Sequence, residues 1–283
     1  MNAPCVLTVA SLSPYYLEGL QAMGVEVLDR LHERDPEAFA RQAHRIRAVA
    51  AAGDSLVPAA LIAQLPALEV ISVMGVGYDG VDLPAALERG VCVGHTPGVL
   101  NDDVADLALA LMLAVSRGIV GADAHVRAGR WHTAGRPLQR KMSGARLGLV
   151  GMGRIGRAIA QRALAFGMQV AYTSRQQKVD LPWAFYADVA ELAAWSDFLV
   201  LITPGGAGTR HLVDARVLAA LGPKGYLINV ARGSVVDEAA LVQALANGTI
   251  AGAGLDVFER EPAVPEALWS MEQVVLTPHI GSA

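Results

Sequence analysis

Gly151, Gly153 and Gly156 stand in G-x-G-x-x-G spacing, and four later segments end in side chains that can bind or react: Thr203, Arg232, Asp256 with Glu261 just beyond it, and His279. The glycines suit a pyrophosphate. Gly151 permits a tight turn, Gly153 lets the backbone approach the anion, and Gly156 lets a helix pack closely on a strand. With Arg154 and Ile155 they open a helix whose free N–H groups and positive dipole end would face the phosphates. The later residues supply a guanidinium, carboxylates and an imidazole. They meet only if the strands that carry them are parallel neighbours.

The elements around these residues follow from the hydrophobic pattern. Leu147, Leu149 and Val150 form a short apolar run, as a buried strand should. Ile155, Ile159, Ala160 and Ala163 recur at helical spacing, Gly167 ends the helix, and Met168–Thr173 reads as a second strand. Strand, glycine turn, helix and strand together make the start of a dinucleotide-binding βαβ unit. Further strands are expected at Phe198–Ile202, Gly225–Ala231, Gly252–Val257 and Val274–Thr277, with a helix at Val236–Ala246. In an open parallel sheet, ligands sit off the carboxyl ends of the strands. Thr203, Pro204, Arg232, Asp256 and His279 fall at those ends.

Upstream, strands are expected at Cys5–Val9, Val25–Leu28, Leu68–Met74 and Val91–Val93, and a helix at Pro14–Ala22. Ala38–Ala52 reads as a helix ended by Gly53, with Arg41, Arg45 and Arg47 outward. Thr96-Pro97-Gly98 marks a boundary between domains 1–97 and 98–283. Asn101, Asp102 and Asp103 are expected to cap a buried helix over 104–116. Gly129–Lys141 reads as a polar loop carrying Trp131. The predicted class is α/β, with two doubly wound parallel-sheet domains.

Composition agrees. A chain of 283 residues is long for one core. Few aromatics, at 5%, among many Ala, Val and Leu suit buried parallel strands. A net charge of −4 argues against a nucleic-acid or anionic-membrane partner. Cys5 and Cys92, both in apolar runs, read as small buried hydrophobes in a reduced compartment. No basic-then-apolar leader opens the chain, and the apolar segment Val104–Val115 is too short to span a bilayer. No Cys/His cluster has metal-ligand spacing, so no metal is expected. His95, His125, His132 and His211 have no partner pattern and read as structural. The expected setting is cytoplasmic.

Several stretches carry a resemblance that reaches further. Val230-Ala-Arg-Gly-Ser-Val-Val-Asp-Glu238, Gly254-Leu-Asp-Val-Phe-Glu-Arg-Glu-Pro262 and Thr277-Pro-His-Ile-Gly-Ser282 resemble the signatures of the D-isomer-specific 2-hydroxyacid dehydrogenases. Gly75-Val-Gly-Tyr-Asp79 and Asp102-Asp-Val-Ala-Asp106 fit as well, so the likeness runs over nearly the whole chain. It is nearest to the glyoxylate, hydroxypyruvate and 2-ketogluconate reductases. The resemblance implies a Rossmann dinucleotide domain beside a flavodoxin-like substrate domain. It also implies reduction of a small 2-oxo acid to the D-2-hydroxy acid.

By the same resemblance, Arg232 binds the substrate carboxylate and polarises its keto oxygen, His279 is the general acid, and Glu261 holds His279 and keeps it protonated nearer neutral pH. Asp256 contacts the nicotinamide or its surroundings. The N–H groups of Val76 and Gly77 complete the carboxylate site. A homodimer is implied, formed through Val104–Arg140 with Trp131 reaching toward the partner. A further helix returning to the first domain is implied beyond Ala283. Gly205-Gly-Ala-Gly208 departs from the family pattern by its extra glycines, which loosen a loop near the nicotinamide.

The end of the second strand bears on the choice of cofactor. Enzymes using NAD place an acid about 20 residues past the fingerprint, on the ribose 2′-OH. Here Thr173 runs into Ser174-Arg-Gln-Gln-Lys178, with no carboxylate before Asp180. Ser174 can donate to a phosphate, Arg175 can pair with it and stack on adenine, and Lys178 adds charge. NADPH is therefore expected ahead of NADH. Two rivals on the same fold are weak. None of the six tyrosines has Lys four residues later, as a short-chain reductase requires. A methyltransferase leaves the strand-end Arg, Glu and His without a purpose. A nucleotide-sensing corepressor remains as an alternative from another functional class.

Overall fold

A computed structural model describes residues 4–53 and 55–281. Ser282, which closes one of the family-like stretches, lies outside them. The chain divides into two units, Met1–Val99 and Leu100–Ala283.

The first unit is built on five parallel strands: β1 (Cys5–Thr8), β2 (Glu26–Asp29), β3 (Ile46–Ala52), β4 (Val70–Met74) and β5 (Cys92–Gly94). Their order is β2-β1-β3-β4-β5, the flavodoxin-like order, with the reversal between β1 and β3. Leu7, Ile46, Val49, Ile62, Leu65 and Ile71 fill its core.

The expected helix over Ala38–Ala52 is corrected here. A helix covers only Pro36–Gln42, and Ile46–Ala52 is the middle strand. The alanines favour a helix locally, but the run is bonded on both edges, to β1 and β4, and largely buried. Tertiary pairing overrides the local preference. Arg41 stays on the helix, Arg45 ends the turn after it, and Arg47 lies on the strand. Arg45 Nη2 lies 2.6 Å from Glu26, and Arg47 grips Glu69 through two bonds of 2.8 and 2.7 Å. Cys92 is also corrected: it is exposed on edge strand β5, whereas Cys5 is buried.

The second unit has seven parallel strands: β6 (Arg146–Val150), β7 (Gln169–Thr173), β8 (Ala184–Phe185), β9 (Phe198–Leu201), β10 (Tyr226–Asn229), β11 (Gly252–Leu255) and β12 (Val274–Leu276). The order β12-β11-β10-β9-β6-β7-β8 reverses between β6 and β9, which makes that gap the expected ligand crevice. Helices Asn101–Arg117 and Arg154–Ala165 share a core with Leu147, Leu149, Phe198, Val200 and Ile228. Helices Val189–Trp195, Ala215–Leu221 and Glu238–Ala246 cover Leu199, Leu201, Leu227 and Leu255 in a second core. Phe198 and Tyr226 stack at 5.2 Å within the first of these layers. Burying strands on both faces is what their unbroken apolar runs require.

The expected cap at Asn101–Asp103 is also corrected. Leu100 is the N-cap residue and makes no side-chain cap bond, so the three polar residues form the first turn. Asp102 and Asp106 instead reach Arg162 of the glycine-loop helix, at 2.8 and 2.5 Å. The two helices are thereby tied across their exposed rim. Ile119–Arg127 forms an unforeseen helix with no buried residue, and Trp131 after it is 71% exposed. Among the described residues no single helix is long and apolar enough to cross a membrane.

Candidate active site

The glycine loop sits at the β6–β9 reversal. Gly151 has φ +111°, and a Cβ there would stand 2.6 Å from Ile202 O. A Cβ on Gly156 would meet Gly151 O at 2.5 Å, so the protein itself demands both glycines. Gly153 differs: a Cβ there would meet nothing within 4 Å. Its bareness serves no contact inside the chain and leaves room for a ligand above the helix start. Gly153 is the N-cap of Arg154–Ala165 and makes no side-chain cap bond. The N–H groups of Arg154 and Ile155 are therefore left for an anion. The donor set fits a dinucleotide pyrophosphate.

At the end of β7, Ser174 Oγ donates to Gln176 O at 2.6 Å. Arg175 is exposed and, among the described residues, makes no hydrogen bond or ion pair. Thr203 and Pro204 follow β9. Pro204 O accepts from Thr209 Oγ1 at 2.7 Å, which closes the glycine-rich turn over 205–208.

Arg232, Glu261 and His279 stand beyond the ends of β10, β11 and β12, which are consecutive neighbours in the sheet. His279 Nδ1 lies 2.7 Å from Glu261 Oε2. Glu261 Oε1 accepts the Phe258 N–H at 2.9 Å. The Glu261 hydrogen bond raises the His279 pKa. Burial and the Arg232 charge work against that rise, and the Glu261 charge adds to it. Burial pushes the Glu261 carboxyl up, but the His279 bond, the Phe258 N–H and the charges of His279 and Arg232 outweigh it and leave the group below its ordinary value. Arg232 is thus near enough for its charge to act on both partners.

Asn229 presents Arg232. It is 1% exposed, its Nδ2 donates to Arg232 O at 3.0 Å, and its Oδ1 accepts the Ala231 N–H at 3.0 Å. Asp256 is buried, and its carboxylate accepts from Thr277 Oγ1 at 2.6 Å and from the N–H groups of Ile280 and Gly281 at 2.9 Å each. Those bonds surround His279, whose φ of +52° is left-handed. Asn229 and Thr277 were not picked out from the sequence. Their only signal there is a polar side chain inside an otherwise apolar strand or at its end.

Other residues fall elsewhere. In the first unit, Val76 and Gly77 follow β4. Their N–H groups meet no acceptor among the described residues, and Val76 O lies 3.0 Å from His95 Nδ1. His211, read as structural, forms a second imidazole–carboxylate pair with Glu259 at 3.1 Å. Among the described residues no group of three or more His, Cys, Asp or Glu could hold a metal ion.

Comparison with known proteins bears on the family. The sequence profile of the D-isomer specific 2-hydroxyacid dehydrogenase NAD binding domain matches residues 109–281. Hydroxyphenylpyruvate reductase of Plectranthus scutellarioides is 51% identical over 86% of this chain and 78% of its own length. The 2-ketogluconate reductase of Gluconobacter oxydans is 44% identical over 100% of this chain and 90% of its own. Among solved structures, the NADPH-dependent glyoxylate/hydroxypyruvate reductase of Sinorhizobium meliloti, in complex with NADP and malonate, superposes with a TM-score of 0.93 at 44% identity, covering 100% of this chain and 88% of that one. On the profile match, these identities and the Rossmann-type sheet, the chain belongs to the D-isomer-specific 2-hydroxyacid dehydrogenase family, oxidoreductases that use NAD(P).

Proposed function

We propose that this chain reduces a small 2-oxo acid, glyoxylate or hydroxypyruvate, to the D-2-hydroxy acid, with NADPH preferred over NADH. The observation that carries the reading is the 2.7 Å bond from His279 to Glu261 within the field of Arg232. The hydride for the keto carbon would come from NADPH when it is bound on the glycine loop. His279 delivers the proton to the keto oxygen through Nε2, since Nδ1 is engaged by Glu261. Arg232 pairs with the substrate carboxylate and draws charge from the carbonyl. In the first unit, the N–H groups of Val76 and Gly77 are donors suited to a carboxylate.

Glycine-loop N–H groups hold the pyrophosphate, and Arg175, which makes no ion pair among the described residues, takes the 2′-phosphate together with Ser174, whose hydroxyl turns to it from Gln176 O. The NADP-bound reductase from Sinorhizobium meliloti supports that choice. Ile119, Val120, Val126, Trp131 and Leu138 expose apolar surface on one segment, which supports a homodimer. A reducing cytoplasmic setting suits Cys5 and Cys92, which form no disulfide among the described residues.

NADPH oxidation measured across glyoxylate, hydroxypyruvate, 2-ketogluconate and hydroxyphenylpyruvate tests the reading. Turnover is expected with the smallest acids, and it is expected to vanish in His279→Ala. Bulky acids ahead of glyoxylate, or NADH ahead of NADPH, would refute it. Sedimentation showing monomer alone would remove the dimer.

A further inference from the structure

The loop Ser174–Leu181 is fastened at two points distant from its exposed tip. Tyr172 is fully buried in β7. Its Oη accepts the Lys178 N–H at 2.7 Å and donates to Lys178 O at 3.3 Å. Two residues on, the Asp180 carboxylate takes a fork from Arg157 in the first turn of the glycine-loop helix, with Nη1 at 2.7 Å and Nη2 at 3.3 Å. Arg175, Gln176 and Gln177 lie exposed between these fastenings and the strand end.

Asp180 is the one acid between Ser174 and Trp183, and two arginines are within its loop or beside it. Arg157 is paired with it, while Arg175 has no partner among the described residues. An unclaimed carboxylate here would pair with Arg175 or accept the ribose 2′-OH, and it would repel a 2′-phosphate. The Arg157 bonds hold the Asp180 carboxyl below its ordinary range and keep it paired at the surface.

We propose that Arg157 and Asp180, with Tyr172, are specificity-determining positioning residues: the pair occupies the loop's carboxylate and holds the loop so that Arg175 stays available to the 2′-phosphate. This rests on the NADPH reading above and adds the device that sustains it. Arg157 and Tyr172 act through the loop and touch no reacting atom.

The test is calorimetric titration of adenosine 2′,5′-bisphosphate and of 5′-AMP into the purified chain, with NADPH and NADH kinetics alongside. Arg157→Gln frees Asp180 for Arg175. The bisphosphate Kd and the NADPH KM are expected to rise about tenfold, the scale of one charge-assisted hydrogen bond. The 5′-AMP Kd, the NADH KM and kcat are expected to hold.

Adding Asp180→Asn to Arg157→Gln removes the competing carboxylate and is expected to restore most of the lost preference. Tyr172→Phe, which changes no charge, is expected to weaken bisphosphate binding several-fold by loosening the loop. Arg157→Lys keeps the charge without the fork, and it is expected to fall between wild type and Arg157→Gln. The inference is overturned if Arg157→Gln leaves the ratio of the two Kd values unchanged, weakens both ligands alike, or is not rescued by the second substitution. A wild-type chain that takes NADH as well as NADPH defeats the cofactor reading itself. A wild type that prefers NADPH, with an unchanged ratio in Arg157→Gln, defeats this inference alone.

Discussion

His279 Nδ1 and Glu261 Oε2 lie 2.7 Å apart, and the second oxygen of Glu261 is tied to the Phe258 N–H, so the carboxylate cannot swing away without losing a backbone bond. The pair sets both the direction of the imidazole and its proton affinity. Its geometry yields a pH prediction with a definite sign.

The His279 pKa is raised in the folded chain, chiefly by Glu261. Reduction needs the protonated ring, so kcat/KM for the 2-oxo acid is expected to be flat below the raised value and to fall as pH climbs through it. Oxidation of the hydroxy acid should rise over the same range. In Glu261→Gln the falling limb moves to lower pH, and the loss in kcat/KM should reach about tenfold or more on the alkaline side. Stability follows the same linkage. The His279 contribution is complete below the unfolded value and is lost as pH rises through the folded one. The Glu261 contribution, from a lowered pKa, is present above its unfolded value and lost as pH falls through the folded one. Rate profiles and thermal melts across pH check both.

Arg232 acts on the same ring with the opposite sign, since its charge lowers the His279 pKa. Arg232→Gln is therefore expected to move the falling limb to higher pH while raising the KM for the 2-oxo acid about a hundredfold. Arg232→Lys keeps a charge but not the fork, so it should leave the limb nearly in place and still raise KM. Parallel pH profiles of the two variants separate the guanidinium's binding role from its field.

The glycine loop gives a prediction that divides folding from binding. Gly156→Ala puts a methyl 2.5 Å from Gly151 O, against backbone that cannot yield cheaply. It is expected to cost roughly 1–3 kcal/mol and to lower Tm without ligand. Gly153→Ala places its methyl in open space, so Tm without ligand should hold. Cofactor added to Gly153→Ala should give little of the thermal shift seen in wild type. Melting curves with and without NADPH decide it.

What was legible in the sequence was what local pattern dictates. Apolar runs gave the seven-stranded sheet nearly strand for strand, apart from the two-residue β8, and the glycine spacing marked the turn after β6, where the strand order reverses. Arg232, Glu261 and His279 stood out because each follows a strand within a distinctive motif, and their strands prove to be neighbours in the sheet. Ile46–Ala52 failed because alanine favours a helix until two neighbouring strands claim its backbone. The Arg157–Asp180 and Arg162–Asp102 pairs were invisible, since each joins residues brought together only by packing. Nor does any residue type announce that His279 sits at φ +52°.

That left-handed turn gives the last prediction. Asp256 was expected to touch the nicotinamide region, yet three of its accepted bonds go to Thr277 Oγ1 and to the N–H groups of Ile280 and Gly281. It is 2% exposed, so nothing from solvent would replace it. Asp256→Ala strands three donors around His279, each costing about 1–3 kcal/mol. Asp256→Asn is milder, since its amide can still accept some of these bonds but turns an N–H toward another donor. Thr277→Val removes a single donor and should cost about 1 kcal/mol. If the carboxylate's main work is to hold the turn, Asp256→Asn and Thr277→Val lower kcat together and leave the NADPH KM nearly unchanged. The Asp256 charge also helps to raise the His279 pKa, so Asp256→Asn alone should move the alkaline limb downward. A nicotinamide contact would instead show as a raised NADPH KM in Asp256→Asn with Thr277→Val unaffected.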